Sequence, residues 1–155
     1  LPARAHLYGA KLVSLDELLR ESDFVVISVP LTNETRKMIG KRELALMKKS
    51  AYLINVCRGA VVDTEALIWA LENNVIAGAG LDVTDPEPLQ EDSPLLKMDN
   101  VILTPHVASS TKEAVYETYR SAVENIIRYL MGEKPYWIVN PQTLYMRQGS
   151  KANSY

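Results

Sequence analysis

The sequence predicts an α/β fold in which a parallel sheet carries helices on both faces. The prediction depends on short apolar runs, helix-type patterns between them, and turn residues at the junctions. Apolar runs without polar alternation are typical of parallel strands that are buried on both sides. Strands that alternate with helices favour βαβ units, whose crossovers are right-handed.

Four apolar runs are predicted to be strands. DFVVISVP ends at Pro30, and the runs AYLINV, VIAGAGLDV and VILT follow it along the chain. The expected strands lie near residues 24–29, 51–56, 77–83 and 101–104. The acidic segment 84–99, which contains three prolines, predicts a loop.

Helix boundaries are marked by capping residues. Ser14 begins a capping-box pattern for a helix near 14–21, and Asp63 is placed to cap a helix near 63–73. KRELALMKK predicts a further short helix between the first two strands. Ser110, with Glu113 three residues later, predicts the start of a last helix near 111–131, whose apolar residues recur at helical spacing.

Composition limits the possible functions. The 155 residues carry a net charge of -2 and no basic stripe, which argues against a nucleic-acid partner. No apolar run approaches the ~20 residues of a membrane span, and no signal peptide opens the chain. The single cysteine, Cys57, excludes an intramolecular disulfide and suits a reducing compartment. We therefore expect a cytoplasmic protein without a membrane partner, and we predict no metal site.

Chemically distinctive residues follow three of the strands. Arg58 comes directly after LINVC, Asp82 lies within GLDVTDPEP, and His106 follows VILTP. Because the carboxyl ends of parallel strands lie at one edge of a sheet, these residues should be gathered where ligands bind in open α/β folds. An arginine fork can hold a carboxylate, and a histidine paired with an acid can deliver a proton. The combination suits reduction of a 2-keto acid.

Each of these residues also has a plainer interpretation. Arg58 could be a surface arginine beside a turn glycine, and the His106 ring could only satisfy a loop carbonyl. Acidic loops such as the one around Asp85 are usually solvated surface.

Four motifs taken together resemble the nucleotide-binding domain of the D-isomer-specific 2-hydroxyacid dehydrogenases. They are VISVPLTNETRKMI, LINVCRGAVVDTEALIWAL, GAGLDVTDPEPL and NVILTPHVASST, in that order, and the resemblance covers residues 10–141. GLDVTDPEPL looks most like the glyoxylate and hydroxypyruvate reductase branch. The resemblance implies a Rossmann-like fold and an oxidoreductase that uses NAD or NADP. It further implies a small 2-keto or 2-hydroxy acid as substrate, and a homodimer.

The same resemblance assigns roles to individual residues. Arg58, Glu87 and His106 match the family's catalytic set, in which the glutamate hydrogen-bonds the histidine, favours its charged form and fixes its orientation. Asp82 matches an aspartate near the nicotinamide carboxamide. Other positions that match the lining of the cofactor site are Val29, Pro30, Thr35, Cys57, Ala108 and Ser109. Where many relatives have glycine after the histidine, this chain has Val107.

The family's phosphate-binding loop, G-x-G-x-x-G, does not occur in this sequence. Gly78 and Gly80 imitate its beginning, but Val83 stands where the third glycine would be. We therefore expect residues 1–141 to be a partial dinucleotide-binding domain that lacks the first βαβ unit, followed by a polar tail over 142–155. Such a chain is expected to be inactive alone.

Two alternatives to the enzyme remain open at this point. One is a non-catalytic nucleotide-binding or corepressor-like module, and the other is a self-associating remnant domain. The presence of Arg58, Glu87 and His106 argues against the first, because a scaffold has no use for all three. An unpaired sheet edge and exposed apolar surface would support the second.

Overall fold

The computed structural model describes residue 5 and residues 7–141 of the chain. The expected polar tail, residues 142–155, lies outside the described residues. The chain divides into two compact units, of which the first ends at Ala108 and the second begins at Ser109. Each unit is described by itself.

The first unit contains a four-stranded parallel sheet. Its strands are β1 (Phe24–Ile27), β2 (Tyr52–Asn55), β3 (Gly78–Leu81) and β4 (Val101–Leu103). They lie side by side in the order in which they occur along the chain, and every neighbouring pair is parallel. The predicted strands and their parallel pairing are confirmed.

The described part of the first unit also contains the helices α1 (Leu15–Glu21), α2 (Lys41–Leu46) and α3 (Thr64–Glu72). The Ser14 side chain accepts a hydrogen bond from the backbone N–H of Glu17, and the Asp63 side chain caps α3 in the same way. These bonds satisfy N–H groups that a helix start leaves without a partner. After α3 the chain leaves the helix through Asn74, which has a φ of 51°.

The hydrophobic core lies between these helices and one face of the sheet. Leu19 of α1, Leu44 of α2 and Leu67 of α3 belong to the same buried cluster as Leu53 and Leu81 of the sheet. Burying a leucine side chain contributes roughly 1.5–3 kcal/mol. This packing fixes the strands, and with them the loops that follow their carboxyl ends.

The opposite face of the sheet is exposed. The side chains of Phe24, Val26 and Ile102 are 66%, 60% and 72% accessible to solvent. The sequence predicts helices on both faces, whereas the described helices α1, α2 and α3 share one core on a single face. An apolar run shows that a face is suited to burial, but it does not show which element covers that face.

Short turns of 3-10 helix occur in two loops. Gly59–Val61 follows β2, and Pro94–Lys97 lies within the segment that the sequence predicts to be a loop. The second turn buries Leu95 in the core. A loop that brings a leucine into the core needs some regular hydrogen bonding, and the 3-10 turn supplies it.

Within residues 109–141, the second unit contains one long helix, α4 (Lys112–Leu130). Its first turn is capped by Thr111, whose side chain accepts from the N–H of Ala114, so the predicted capping box at Ser110 is wrong by one residue. Thr111 and Ser110 are both good caps, and only the backbone geometry chooses between them. No residue of α4 is buried. Among the described helices, none is both long and apolar enough to cross a lipid bilayer.

Candidate active site

The site predicted from the sequence lies in the loops that follow the four strands. Every strand is parallel, so the loops after β1, β2, β3 and β4 all leave the same edge of the sheet. The backbone N–H of Asp82, after β3, donates to the carbonyl of Asn55 at the end of β2. The N–H of His106, after β4, donates to the carbonyl of Asp82. The loops are therefore directly connected.

His106 is hydrogen-bonded to Glu87. Its Nδ1 lies 2.7 Å from Oε1 of the glutamate, and the two side chains are 46% and 42% exposed. A carboxylate only accepts hydrogen bonds, so the proton lies on Nδ1 and Nε2 is directed away from the pair. The plainer interpretation, in which the ring satisfies a loop carbonyl, does not describe this geometry.

The His106 turn is held by Asp82. One carboxylate oxygen, Oδ1, accepts from the N–H of Val107 at 2.8 Å and from the Thr104 hydroxyl, and Oδ2 accepts from the N–H of Ala108 at 2.9 Å. His106 itself has a φ of 56°, which L residues seldom adopt. The side chain of Asp82 is 6% exposed.

These contacts lower the pKa of the Asp82 carboxyl below its ordinary value of 3.8. The hydrogen bond from the Thr104 hydroxyl is the largest cause, and the N–H groups of Ala108 and Val107 and the nearby His106 act in the same direction. Burial opposes them, because it penalises the charged form. Asp82 therefore stays ionised within the turn.

Arg58 is presented by a turn that Asn55 organises. The buried Asn55 side chain donates through Nδ2 to the carbonyl of Arg58 at 3.0 Å and accepts through Oδ1 from the N–H of Cys57 at 3.1 Å. The Arg58 side chain is exposed, and its Nη1 donates to the carbonyl of Cys57 at 2.6 Å. In the described chain the guanidinium contacts its own turn rather than Glu87 or His106.

Gly59 fixes the other side of the Arg58 turn. A Cβ atom at this position would lie 2.0 Å from the backbone carbonyl group of Thr84. Only glycine permits this approach, because real side chains do not come so near to backbone atoms. The loop that carries Arg58 is thereby packed directly against the loop that leads to Glu87.

The remaining predicted residues of the first unit lie at the same edge of the sheet with different exposure. Val29 and Pro30 follow β1, and the Thr35 hydroxyl donates to the Pro30 carbonyl at 2.7 Å, which closes that loop. Cys57 is partly buried, and Ala108 is exposed. Ser109 is the first residue of the second unit.

An open cavity of about 620 Å³ adjoins the His106–Glu87 pair. Its lining combines apolar side chains with the polar groups of the His106–Glu87 pair and its neighbours. Its size is typical of a small-molecule site. The lining residues are Asp82, Thr84, Glu87, Pro88, Leu89, Leu96, Leu103, Thr104, Pro105 and His106.

Sequence reasoning missed Asn55. It is one of two buried polar residues in the described chain, and it positions the backbone on which Arg58 is mounted. The available signal was a polar residue inside the apolar run AYLINV, where an unpaired amide would be costly. In the part of the chain that the structure describes, no cluster of three or more His, Cys, Asp or Glu side chains is suited to a metal ion.

Comparison with known proteins places this geometry in a family. Residues 2–108 match the model of the D-isomer specific 2-hydroxyacid dehydrogenase, NAD binding domain. The chain is 52% identical over 137 residues to glyoxylate/hydroxypyruvate reductase B of Pectobacterium carotovorum, covering 88% of this chain and 43% of that protein. It therefore spans less than half the length of this curated relative.

Solved structures of the family superimpose well. The D-isomer specific 2-hydroxyacid dehydrogenase of Lactobacillus delbrueckii, in its NAD complexed form, gives a TM-score of 0.76 at 38% identity over 83% of this chain and 43% of that one. The enzyme of Xanthobacter autotrophicus in complex with NADPH and MES gives 0.74 at 44% identity, over 83% and 52%. The chain thus belongs to the D-isomer specific 2-hydroxyacid dehydrogenase family, and residues 2–108 correspond to its NAD binding domain.

Proposed function

We propose that the chain carries the catalytic groups of a reductase for small 2-keto acids such as glyoxylate or hydroxypyruvate. The observation that supports this most directly is the 2.7 Å pair between His106 Nδ1 and Glu87 Oε1 at the end of the last strand. A histidine that is only part of the surface would not require a carboxylate partner such as Glu87. Nor would it require a buried aspartate below its turn, or an arginine in the loop after β2.

The proton is delivered by His106. With Nδ1 held by Glu87, Nε2 is the nitrogen that can face the carbonyl oxygen of a substrate and protonate it. Arg58 holds the substrate carboxylate with two parallel hydrogen bonds, after its guanidinium leaves the Cys57 carbonyl. The keto carbon is thereby fixed between the two groups. A bound NADH or NADPH would supply the hydride that reduces this carbon.

The residues at the sheet edge fit the nicotinamide half of such a cofactor. Val29 and Cys57 are partly buried, and Ala108 is a small exposed residue two positions after His106. Nothing in the sequence replaces the G-x-G-x-x-G loop that binds the pyrophosphate. Losing two charge-assisted hydrogen bonds, at roughly 1.5–3 kcal/mol each, lowers affinity by about 10²–10⁴-fold. We therefore propose that the 155-residue chain alone binds dinucleotide weakly and turns over negligibly.

A chimera tests the activity. The region of this chain that aligns with the Pectobacterium reductase replaces the corresponding part of that enzyme, and consumption of NADH and NADPH is followed with glyoxylate, hydroxypyruvate and pyruvate. We expect turnover with at least one of these acids. A folded chimera that binds the cofactor but reduces none of them would contradict the proposal and would favour the non-catalytic binding module.

We also propose that the protein forms a homodimer and is cytoplasmic. The exposed apolar face with Phe24, Val26 and Ile102 supports association, because such a surface is unfavourable in water. The free thiol of Cys57 supports a reducing compartment.

A further inference from the structure

Asp82 is the only buried charged residue of the described chain, and the hydrogen bonds of its side chain all lead to one turn. Burying a carboxylate is costly unless donors surround it. The donors here are the Thr104 hydroxyl, which precedes His106 in the chain, and the N–H groups of Val107 and Ala108, which follow it. The Asp82 carbonyl accepts the N–H of His106 as well.

We propose that Asp82 is a positioning residue for His106. Its carboxylate and carbonyl hold residues 104–108 in the turn that brings the imidazole to Glu87. The proposal rests on the proposed function, in which His106 is the proton donor. It gives Asp82 a task inside the protein that is distinct from any contact with the cofactor.

The pair between His106 and Glu87 needs this support. Both side chains are almost half exposed, and an exposed pair of this kind, even when it is charged, holds its members only weakly. His106 also has a φ of 56°, and an unrestrained histidine would return to negative φ. That rotation would turn the ring away from Glu87. The backbone under the ring must therefore be fixed by something other than the pair.

An aspartate suits this task better than an asparagine. Both oxygens of Asp82 face donors, so an amide in its place would direct an NH2 group at an N–H or a hydroxyl. Asp82→Asn keeps the volume and removes this complementarity. Asp85→Asn is the matched control, because Asp85 is an exposed acid in the same loop and its exchange removes the same charge.

The test reads the geometry of the ring directly. In 15N-labelled protein at one pH, the Nδ1 resonance of His106 is compared in the wild type, Glu87→Gln, Asp82→Asn, the double variant and Asp85→Asn. We expect Asp82→Asn to move Nδ1 at least halfway toward its position in Glu87→Gln. The double variant should move it no further than Glu87→Gln alone, and Asp85→Asn should match the wild type.

Several results would overturn the proposal. One is a Nδ1 resonance that stays in place in Asp82→Asn while Glu87→Gln moves it. Shifts that add in the double variant would show that Asp82 acts independently of the pair, and an unmoved resonance in Glu87→Gln would show that there is no pair to position. If circular dichroism shows that Asp82→Asn does not fold, Thr104→Val replaces it in the test. We then expect the Nδ1 resonance of His106 to move in the same direction by a smaller amount, and an unmoved resonance would contradict the proposal.

The proposal and the proposed function can fail separately. The spectra need no cofactor, substrate or turnover, so an inactive chimera leaves their result unaffected. Conversely, an active chimera whose Asp82→Asn form keeps the wild-type Nδ1 resonance would overturn only the positioning role.

Discussion

Replacing Gly59 by alanine should destabilise the first unit and displace Arg58. The added Cβ would lie 2.0 Å from the backbone C and O of Thr84, whereas ordinary contact begins at 3.4 Å. One loop must therefore move by about 1.4 Å, and because the obstacle is backbone rather than a flexible side chain, it cannot rotate away. Overpacking of this kind costs about 3 kcal/mol, at the upper end of its usual range.

Urea unfolding of the chain measures the first effect. With a slope of about 1–3 kcal/mol/M, a loss of this size lowers the midpoint by roughly 1–3 M. In the active chimera, a displacement of about 1 Å at Arg58 should lower kcat/KM for the keto acid about 100-fold. Gly40→Ala is the control, since the nearest atom to its Cβ would be a carboxylate oxygen of Glu43 at 3.4 Å.

A small loss of stability in Gly59→Ala would disprove the close approach of the Arg58 loop to the Thr84 loop. If Gly59→Ala unfolded within about 0.5 kcal/mol of both the wild type and Gly40→Ala, the loops would have room that the structure does not show. A stable Gly59→Ala chimera with unchanged kcat/KM would also show that the position of Arg58 does not depend on this contact.

Four further outcomes are expected. In the chimera, His106→Ala should lower kcat about 10²–10⁴-fold and leave cofactor affinity unchanged, which steady-state kinetics and cofactor titration measure. A loss of stability with normal turnover would instead favour a histidine that only stabilises its loop. Arg58→Lys should raise KM for the keto acid and lower kcat, because a point charge cannot form the two-bond fork. The pKa of Asp82 is lowered in the folded protein, so its contribution to the free energy of unfolding is complete above the unfolded pKa of about 4 and is lost as the pH falls through the lower folded pKa. Below pH ~4 the wild type should therefore lose more stability than Asp82→Asn. Acid unfolding curves that run parallel for the two proteins would contradict this. Sedimentation at micromolar concentration should show a dimer or a larger species, and a clean monomer would refute self-association.

The elements that position the site were predictable because their signals are local. An apolar run such as FVVI and a cap such as Asp63 depend on a few neighbouring residues, and the parallel order follows from the alternation of strands and helices. The grouping of the candidate residues was predictable for a related reason. Residues that follow parallel strands meet at one edge, so Arg58, Asp82 and His106 could be assigned to the same edge from the sequence.

The supporting contacts could not be predicted, because they join groups that are distant in sequence or are made by the backbone. Asn55 looks like one more strand residue until its amide is seen to hold the Cys57–Arg58 turn. The positive φ of His106 follows from hydrogen bonds to Asp82, and the sequence of the turn contains no glycine to announce it. At the start of α4, Ser110 and Thr111 are chemically equivalent candidates, and a difference of one residue is decided by the backbone.

The groups that build the proposed proton donor lie in one short segment of the chain. Glu87 lies 19 residues before His106, and Asp82 lies 26 residues before Ala108, so the acid, its partner and the turn beneath them are encoded within a single short stretch of chain. Such a stretch can pass between related genes in one recombination event without separating Asp82, Glu87 and His106. A protein engineer could likewise transplant it as one cassette onto another parallel sheet, provided that the recipient offers two neighbouring strands of matching register.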